Sequence, residues 1–142
     1  MIVKIFTDGG SRGNPGHAAT GLVIESENGI ILHQAGEYVG VTTNNEAEYQ
    51  AILQASTWLN QHNADLEKQG FTKLSFFLDS KLVVEQLNRN WKIKEPRMAV
   101  WAERCWQQLK SLSLPYTISH IPREQNSAAD ALVNQALDAR SS

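Results

Sequence analysis

The spacing of hydrophobic and polar residues changes along the chain, and the changes predict its secondary structure. Three strand-like runs come first, at residues 2–8, 17–26 and 29–39. The glycine-rich segment 9–16 predicts a tight loop between the first two runs. Asn28-Gly29 predicts a hairpin turn before the third run. The start of the chain therefore predicts a three-stranded antiparallel meander.

Helical spacing begins after residue 42 and then alternates with short apolar runs. Thr43 and Glu46 fit a capping box, with Thr43 as N-cap and Glu46 reaching back to its amide. The whole order is β-β-β-α-β-α-α-β-α, which predicts an α/β fold with a five-stranded mixed sheet flanked by helices. The predicted helices are 43–60, 80–90, 96–110 and 125–139, the later strands are 73–79 and 115–121, and residues 61–72 are a polar loop.

Length and composition restrict the class of protein. With 142 residues, 42% of them hydrophobic, we expect a single domain over residues 1–142. No apolar run approaches the roughly 18 residues of a membrane span, and the N-terminus does not resemble a signal peptide. The single cysteine, Cys105, excludes an internal disulfide and a cysteine-based zinc site. These features predict a reducing, cytoplasmic setting.

The charge is distributed unevenly, although the net charge is only −2. Residues 1–67 hold two basic and eight acidic residues, whereas residues 68–142 hold eleven basic and seven acidic ones. The two balances are −6 and +4, which favours a molecule with two electrostatic faces. Random variation among solvated surfaces produces the same pattern, so the charge alone does not predict a nucleic-acid partner.

Four carboxylates occupy unusual positions. Asp8 and Asp79 end apolar strands, where ligand sites of α/β sheets gather, and Glu48 lies on the apolar stripe of its helix. Asp130 lies in the first turn of the last helix, beside apolar positions. A carboxylate that faces a core is costly unless it is paired or binds a metal. Two magnesium or manganese ions roughly 4 Å apart would neutralise such a set and are suited to cutting phosphodiesters.

Ordinary structural roles explain three of these carboxylates as well. Asp8 precedes Gly9-Gly10 as a turn residue would, and Asp79 precedes Ser80 as a helix N-cap would. Asp130 complements a helix dipole. Glu48 has no such explanation, and the joint occurrence of all four favours a metal site.

Four segments of the chain resemble type 1 ribonuclease H in order and spacing. They are FTDGGSRGNPG (6–16), TTNNEAEYQAI (42–52), LDSKLVVEQLN (78–88) and HIPREQNSAAD (120–130). The resemblance covers nearly the whole chain and implies a ribonuclease H-like fold. It also implies an endonuclease that hydrolyses the RNA strand of RNA–DNA hybrids and leaves 5′-phosphate and 3′-hydroxyl ends.

The resemblance implies specific roles for the matched residues. Asp8, Glu48, Asp79 and Asp130 would bind two Mg²⁺ ions, which Mn²⁺ is able to replace. Asp8 would bridge both ions, Glu48 and Asp79 would hold the ion on the leaving-group side, and Asp79 and Asp130 would lie nearer the ion that activates water. His120, ten residues before Asp130, would be the catalytic histidine.

Further matched residues are expected to contact the hybrid or support the site. Contacts on the RNA strand sense the 2′-hydroxyl, which distinguishes RNA from DNA. Asn126 would hold the loop before Asp130. The expected contacts are Gly9, Gly10, Ser11 and Asn14 on the RNA strand, Asn44 and Asn45 in the minor groove, and Thr43 on a DNA phosphate.

The chain departs from many bacterial members in two places. Lys81 stands where several members carry an amide side chain, and we expect it to contact phosphate. Residues 90–95 are too short for a basic protrusion, so the chain resembles the branch that lacks one. Trp91, Lys92 and Lys94 are expected to contact the hybrid there, although a packing role for Trp91 is an equal alternative.

Other classes of function fit less well. The glycine loop lacks the Gly-Lys-Ser/Thr ending of a P-loop, and Asp8 lacks the second aspartate of haloacid dehalogenase-like phosphatases. A related exonuclease fits the spacing worse, and a non-catalytic RNA–DNA hybrid-binding module is the alternative from another class. We expect a monomer that needs no obligatory protein partner and no membrane.

Overall fold

The computed structural model describes residues 1–141 of the chain, apart from the side chain of residue 141. Its elements follow the predicted order, with one additional short helix and one 3-10 turn. They are β1 (Ile2–Gly13), β2 (Gly16–Ser26), β3 (Ile31–Thr42), α1 (Asn44–Gln61), α2 (Asn63–Lys68), β4 (Lys73–Leu78), α3 (Lys81–Leu87), α4 (Pro96–Lys110), β5 (Tyr116–His120), the 3-10 turn (Arg123–Gln125) and α5 (Ser127–Ser141).

The five strands form one mixed sheet in the order β3-β2-β1-β4-β5. β1 pairs antiparallel with β2, and β2 pairs antiparallel with β3, which confirms the predicted meander. β4 joins β1 in parallel, and β5 joins β4 in parallel. The predicted α/β fold with a five-stranded mixed sheet is therefore confirmed.

The two faces of the sheet are covered by different helices. Val3 and Ile5 of β1 and Ile24 of β2 face the main core, which α1, α3 and α4 complete. Side chains alternate along a strand, so the intervening residues face the other side. On that side α5 packs its Val133 and Leu137 against β2. The helix α1 and the helix α5 thus approach β1 and β2 from opposite faces.

Two loop predictions are wrong. The segment 9–16 continues both strands of the hairpin, with Gly9 paired to Thr20 and Gly13 paired to Gly16. Only residues 14–15 form the turn, because backbone pairing across the hairpin extends the strands despite the weak strand propensity of glycine. Part of the predicted loop 61–72 is helical as α2, where Leu66 packs into the main core.

None of the helices within residues 1–141 is long and apolar enough to cross a membrane.

Candidate active site

Four carboxylates from separate parts of the chain line one cleft at the carboxyl ends of the central strands. β1 and β4 run side by side until Thr7 pairs with Leu78, and β1 then continues with β2 alone. Asp8 and Asp79 are the next residues of the two strands, so they lie where the strands part. Glu48 comes from α1, and Asp130 comes from the first turn of α5.

The carboxylates are close enough to repel one another strongly. Asp8, Glu48 and Asp79 each place an oxygen within 4.8 Å of the others. The pKa of Asp8 is raised to about 7, with burial as the largest cause. A hydrogen bond with Glu48 acts in the opposite direction, and the charges of Asp79 and Asp130 add to the rise. Glu48 is only 6% exposed, and burial together with the Asp8 charge raises its pKa well above the ordinary value.

The cluster fits a hard divalent cation. No ion pair within residues 1–141 involves any of the four carboxylates. Oε2 of Glu48 is buried and has no hydrogen-bond partner in that part of the chain, so an acceptor is left unsatisfied. Magnesium and manganese prefer carboxylate oxygens. Asp8, Glu48 and Asp79 are thus suited to hold such an ion, and Asp130 lies beside Asp8 in the same cleft.

The tip of the β1–β2 hairpin is tied to the start of α1. Ser11 N donates to Asn44 Oδ1 at 2.8 Å, and Asn44 N donates to Asn14 Oδ1 at 3.0 Å. Both asparagines use their side-chain oxygens in this way, and their Nδ2 groups have no protein partner among the described residues. The predicted contact residues that line the carboxylate cleft are Gly9, Gly10, Ser11, Asn44 and Asn45.

Thr43 and Asn14 lie in an adjoining pocket with Arg97. The predicted N-cap is confirmed, since Thr43 Oγ1 accepts from Glu46 N at 3.2 Å, but it also donates its only proton to Glu46. The Glu46 carboxylate does not bond the Thr43 amide as predicted. It accepts instead from Thr42 Oγ1, Arg97 Nε and Trp101 Nε1. These donors lower the pKa of Glu46, although burial alone would raise it.

His120 lies outside the cleft where the sequence places it, and Arg123, for which the sequence predicts no role, lines that cleft. Thr7, Leu78 and His120 are paired across three strands and therefore share one face of the sheet. That face is the main-core side, whereas Asp8 follows Thr7 and points to the opposite face. His120 does not line the carboxylate cleft, but Arg123 does. The register of β5 thus separates His120 from the carboxylates, and the sequence reasoning overlooked Arg123 because one exposed arginine in a loop gives no local signal.

Comparison with known proteins gives consistent results. The family described as Reverse transcriptase-like matches residues 6–136. A crystal structure of RNase H1 from Halobacterium salinarum superposes with a TM-score of 0.83 at 37% identity, covering 97% of this chain and 98% of that one. LC11-RNase H1, isolated from compost and solved in complex with an RNA/DNA hybrid, gives a TM-score of 0.90 at 38% identity and covers 99% of both chains. The chain belongs to the type 1 ribonuclease H family.

Some relatives of this ribonuclease H chain are longer. A bifunctional protein of Mycobacterium tuberculosis is 36% identical over 143 residues, which is 98% of this chain but only 36% of the relative. The chain thus spans about a third of the length of that mycobacterial protein. It spans 64% of the ribonuclease HI sequence of Halobacterium salinarum, with 39% identity over 136 residues.

In this chain, Lys81 and Lys94 are exposed and line neither the carboxylate cleft nor the pocket of Thr43. Trp91 is 45% exposed and lines a separate groove with Lys92, so it is not a core residue. Trp106 lies in the same groove, where the Arg89 guanidinium stacks 3.8 Å from its ring centre. The tryptophans that lie on helices pack against the main core; they are Trp58, Trp101 and Trp106.

Asn126 connects the loop before α5 to both central strands. It is 1% exposed, and its Nδ2 donates to Thr7 O at 2.9 Å and to Asp79 Oδ2 at 3.2 Å. One side chain thereby fixes the Asp79 carboxylate relative to β1 and to the start of α5. This position agrees with the structural role expected for Asn126.

Proposed function

We propose that this chain is an endoribonuclease that hydrolyses the RNA strand of RNA–DNA hybrids. The observation that carries the proposal is the cleft where Asp8, Glu48 and Asp79 place oxygens within 4.8 Å of one another and which Asp130 also lines. Structural similarity supports the substrate class, because LC11-RNase H1 was solved with an RNA/DNA hybrid.

The four carboxylates are the metal ligands in this proposal. Asp8 would serve both ions, Glu48 and Asp79 would hold the ion on the leaving-group side, and Asp79 and Asp130 would lie nearer the ion that activates water. Two Mg²⁺ ions, which Mn²⁺ is able to replace, supply an activated water and a stabilised leaving oxygen when bound. Attack of water on phosphorus breaks the bond to the 3′-oxygen and leaves 5′-phosphate and 3′-hydroxyl ends.

The chain binds the hybrid through donors that folding leaves available. The Nδ2 groups of Asn14 and Asn44 project from the hairpin tip and the start of α1, where we place the minor groove of the hybrid. The amides of Gly9, Gly10 and Ser11 face the RNA strand, where a 2′-hydroxyl distinguishes RNA from DNA. Asn45 lines both the cleft and the pocket of Thr43, so it lies between the two strands' binding sites.

The DNA strand is bound by weaker, more dispersed contacts. The hydroxyl of Thr43 donates its hydrogen bond to Glu46 and has no proton left for a phosphate. Arg97, whose side chain is 73% exposed, supplies the charged donor for a phosphate near Thr43. Lys81, Trp91, Lys92 and Lys94 extend the basic surface in place of a protrusion. Each phosphate contact increases the salt dependence of binding by roughly one in the logarithmic slope.

The alternative function is a non-catalytic hybrid-binding module. It is less well supported, because a module that only binds hybrid has no need of four unpaired carboxylates in one cleft.

We further propose that residues 1–142 act as a single ribonuclease H domain. The domain acts as a monomer in the cytoplasm, without an obligatory protein partner or a membrane.

Cleavage of an end-labelled RNA–DNA hybrid in Mg²⁺ tests the function. The wild type should cut only the RNA strand of the hybrid, and it should leave matched DNA duplex and single-stranded RNA intact. Asp8→Asn should abolish cleavage while the variant still binds hybrid in a filter-binding assay. If the wild type binds hybrid but cuts none in Mg²⁺ or Mn²⁺, the binding-module alternative is correct.

A further inference from the structure

We propose that Gly9 and Gly21 are positioning residues, because the absence of a side chain at each sets the distance of one carboxylate from Asp8. Gly9 positions Glu48, and Gly21 positions Asp130. The inference rests on the proposed function, since it treats Glu48 and Asp130 as metal ligands.

Gly9 allows the backbone of α1 to lie directly against β1. A Cβ atom at Gly9 would lie 2.3 Å from the carbonyl carbon of Ala47 and 2.5 Å from the amide nitrogen of Glu48. The Gly9 amide also forms a hydrogen bond with the Glu48 carboxylate. The glycine therefore contacts both the main chain and the side chain of Glu48, and no flexible side chain nearby is able to absorb an added methyl group.

Gly21 allows α5 to approach from the opposite face of the sheet. It pairs directly with Asp8, so both residues face α5. A Cβ atom at Gly21 would lie 2.2 Å from the carbonyl oxygen of Ala129, the residue before Asp130. Gly36, the partner of Gly21 on β3, would place a Cβ 2.5 Å from the carbonyl oxygen of Leu132. The main chain of α5 thus lies on two paired glycines.

Each glycine lies against the helix residue that directly precedes a carboxylate residue. Gly9 lies against Ala47, which precedes Glu48, and Gly21 lies against Ala129, which precedes Asp130. Real Cβ atoms essentially never approach other atoms within 3.0 Å, so an alanine would force α1 back by about 0.7 Å at Gly9 and α5 back by about 0.8 Å at Gly21. Metal sites and catalytic constellations tolerate roughly 0.5 Å of error. A displacement near 1 Å is able to reduce turnover by about a hundredfold.

The experiment compares Gly9→Ala, Gly21→Ala and the wild type with Leu109→Ala. Leu109 lies in the core on α4 and is 1% exposed, so its truncation reduces stability without reaching the cleft. Binding of Mn²⁺ alone is measured as the rise in melting temperature that it causes, and kcat and KM are measured on the hybrid. We expect both glycine variants to lose most of the Mn²⁺-induced rise and at least about tenfold in kcat, with KM changed less than about threefold.

A rescue variant separates positioning from general damage. Asp130→Glu adds one methylene, which compensates for a helix that has moved back. Asp130→Glu should lower kcat in the wild type but raise it at least about threefold in the Gly21→Ala background, a coupling that mere destabilisation does not produce.

Defined outcomes overturn the proposal. The proposal is wrong if the glycine variants keep the wild-type kcat and the wild-type response to Mn²⁺. It is also wrong if Asp130→Glu shows no coupling with Gly21→Ala. Variants that are unfolded by circular dichroism with and without Mn²⁺ also contradict it, because displacement of one ligand leaves the core intact. If the wild type responds to Mn²⁺ but does not cut hybrid, the proposed function fails, while the melting data still decide the role of the glycines.

Discussion

Glu46 and Glu48 lie on the same helix, but their electrostatic surroundings are opposite, and neutralising each should change stability in opposite directions. Glu46 is 4% exposed and accepts hydrogen bonds from Arg97 and Trp101. Glu48 is 6% exposed, has an unpartnered oxygen and lies beside Asp8. We therefore expect Glu46→Gln to destabilise the metal-free protein and Glu48→Gln to stabilise it.

The size of the effect follows from the distances. Two like charges no more than 4.8 Å apart repel by at least roughly 3.5 kcal/mol at an effective dielectric constant of about 20. The rise in the pKa of Asp8 from 3.8 to about 7 corresponds to a cost of roughly 4 kcal/mol for its charged form. Burial is the largest cause of this rise, and burial persists in the variant. Removing the Glu48 charge should therefore stabilise the protein by about 1–3 kcal/mol. Glu46→Gln weakens charge-assisted hydrogen bonds and should cost about 1–3 kcal/mol.

The sign of the pH dependence follows from the raised pKa of Asp8. The folded state binds this proton more tightly than the unfolded state, so stability decreases as the pH rises from about 4 to about 7. The advantage of Glu48→Gln should be largest above pH 7 and shrink toward pH 4.

Urea unfolding of the two variants and the wild type in EDTA, at pH 8 and at pH 4, measures these differences. Added Mg²⁺ should stabilise the wild type and Glu46→Gln, but not Glu48→Gln. A Glu48→Gln variant that is less stable than the wild type in EDTA at pH 8 would refute the repulsion argument.

Three further predictions concern single side chains. Arg123→Ala should lower kcat/KM on the hybrid at least about tenfold and His120→Ala less than about twofold, because only Arg123 lines the cleft; equal losses would contradict this. Asn126→Ala should lower the free energy of unfolding by about 1–3 kcal/mol in urea and reduce kcat, because Asp79 loses a donor. Burial raises the pKa of the Cys105 thiol to about 12, so Ellman's reagent at pH 8 should modify it only after denaturation.

The local pattern of the sequence predicted most elements, because hydrophobic period and capping residues act over a few neighbouring positions. The helix 96–110 has the predicted bounds, and Thr43 caps α1. Prediction was wrong where distant contacts override local preference. Pairing with β2 keeps the glycine-rich end of β1 extended. The orientation of α4 on the core buries Met98 and Ala102 and leaves the apolar Val100 56% exposed.

The sequence by itself also singled out Asp8, Glu48, Asp79 and Asp130, because a carboxylate among apolar neighbours is costly and requires an explanation. Their common cleft was decided by the tertiary structure, since the residues are up to 122 positions apart. The face on which a side chain emerges depends on strand register, and register is a property of the assembled sheet. For that reason the structure separates His120 from the carboxylates, brings Arg123 to them, and gives Gly9 and Gly21 their close contacts with α1 and α5.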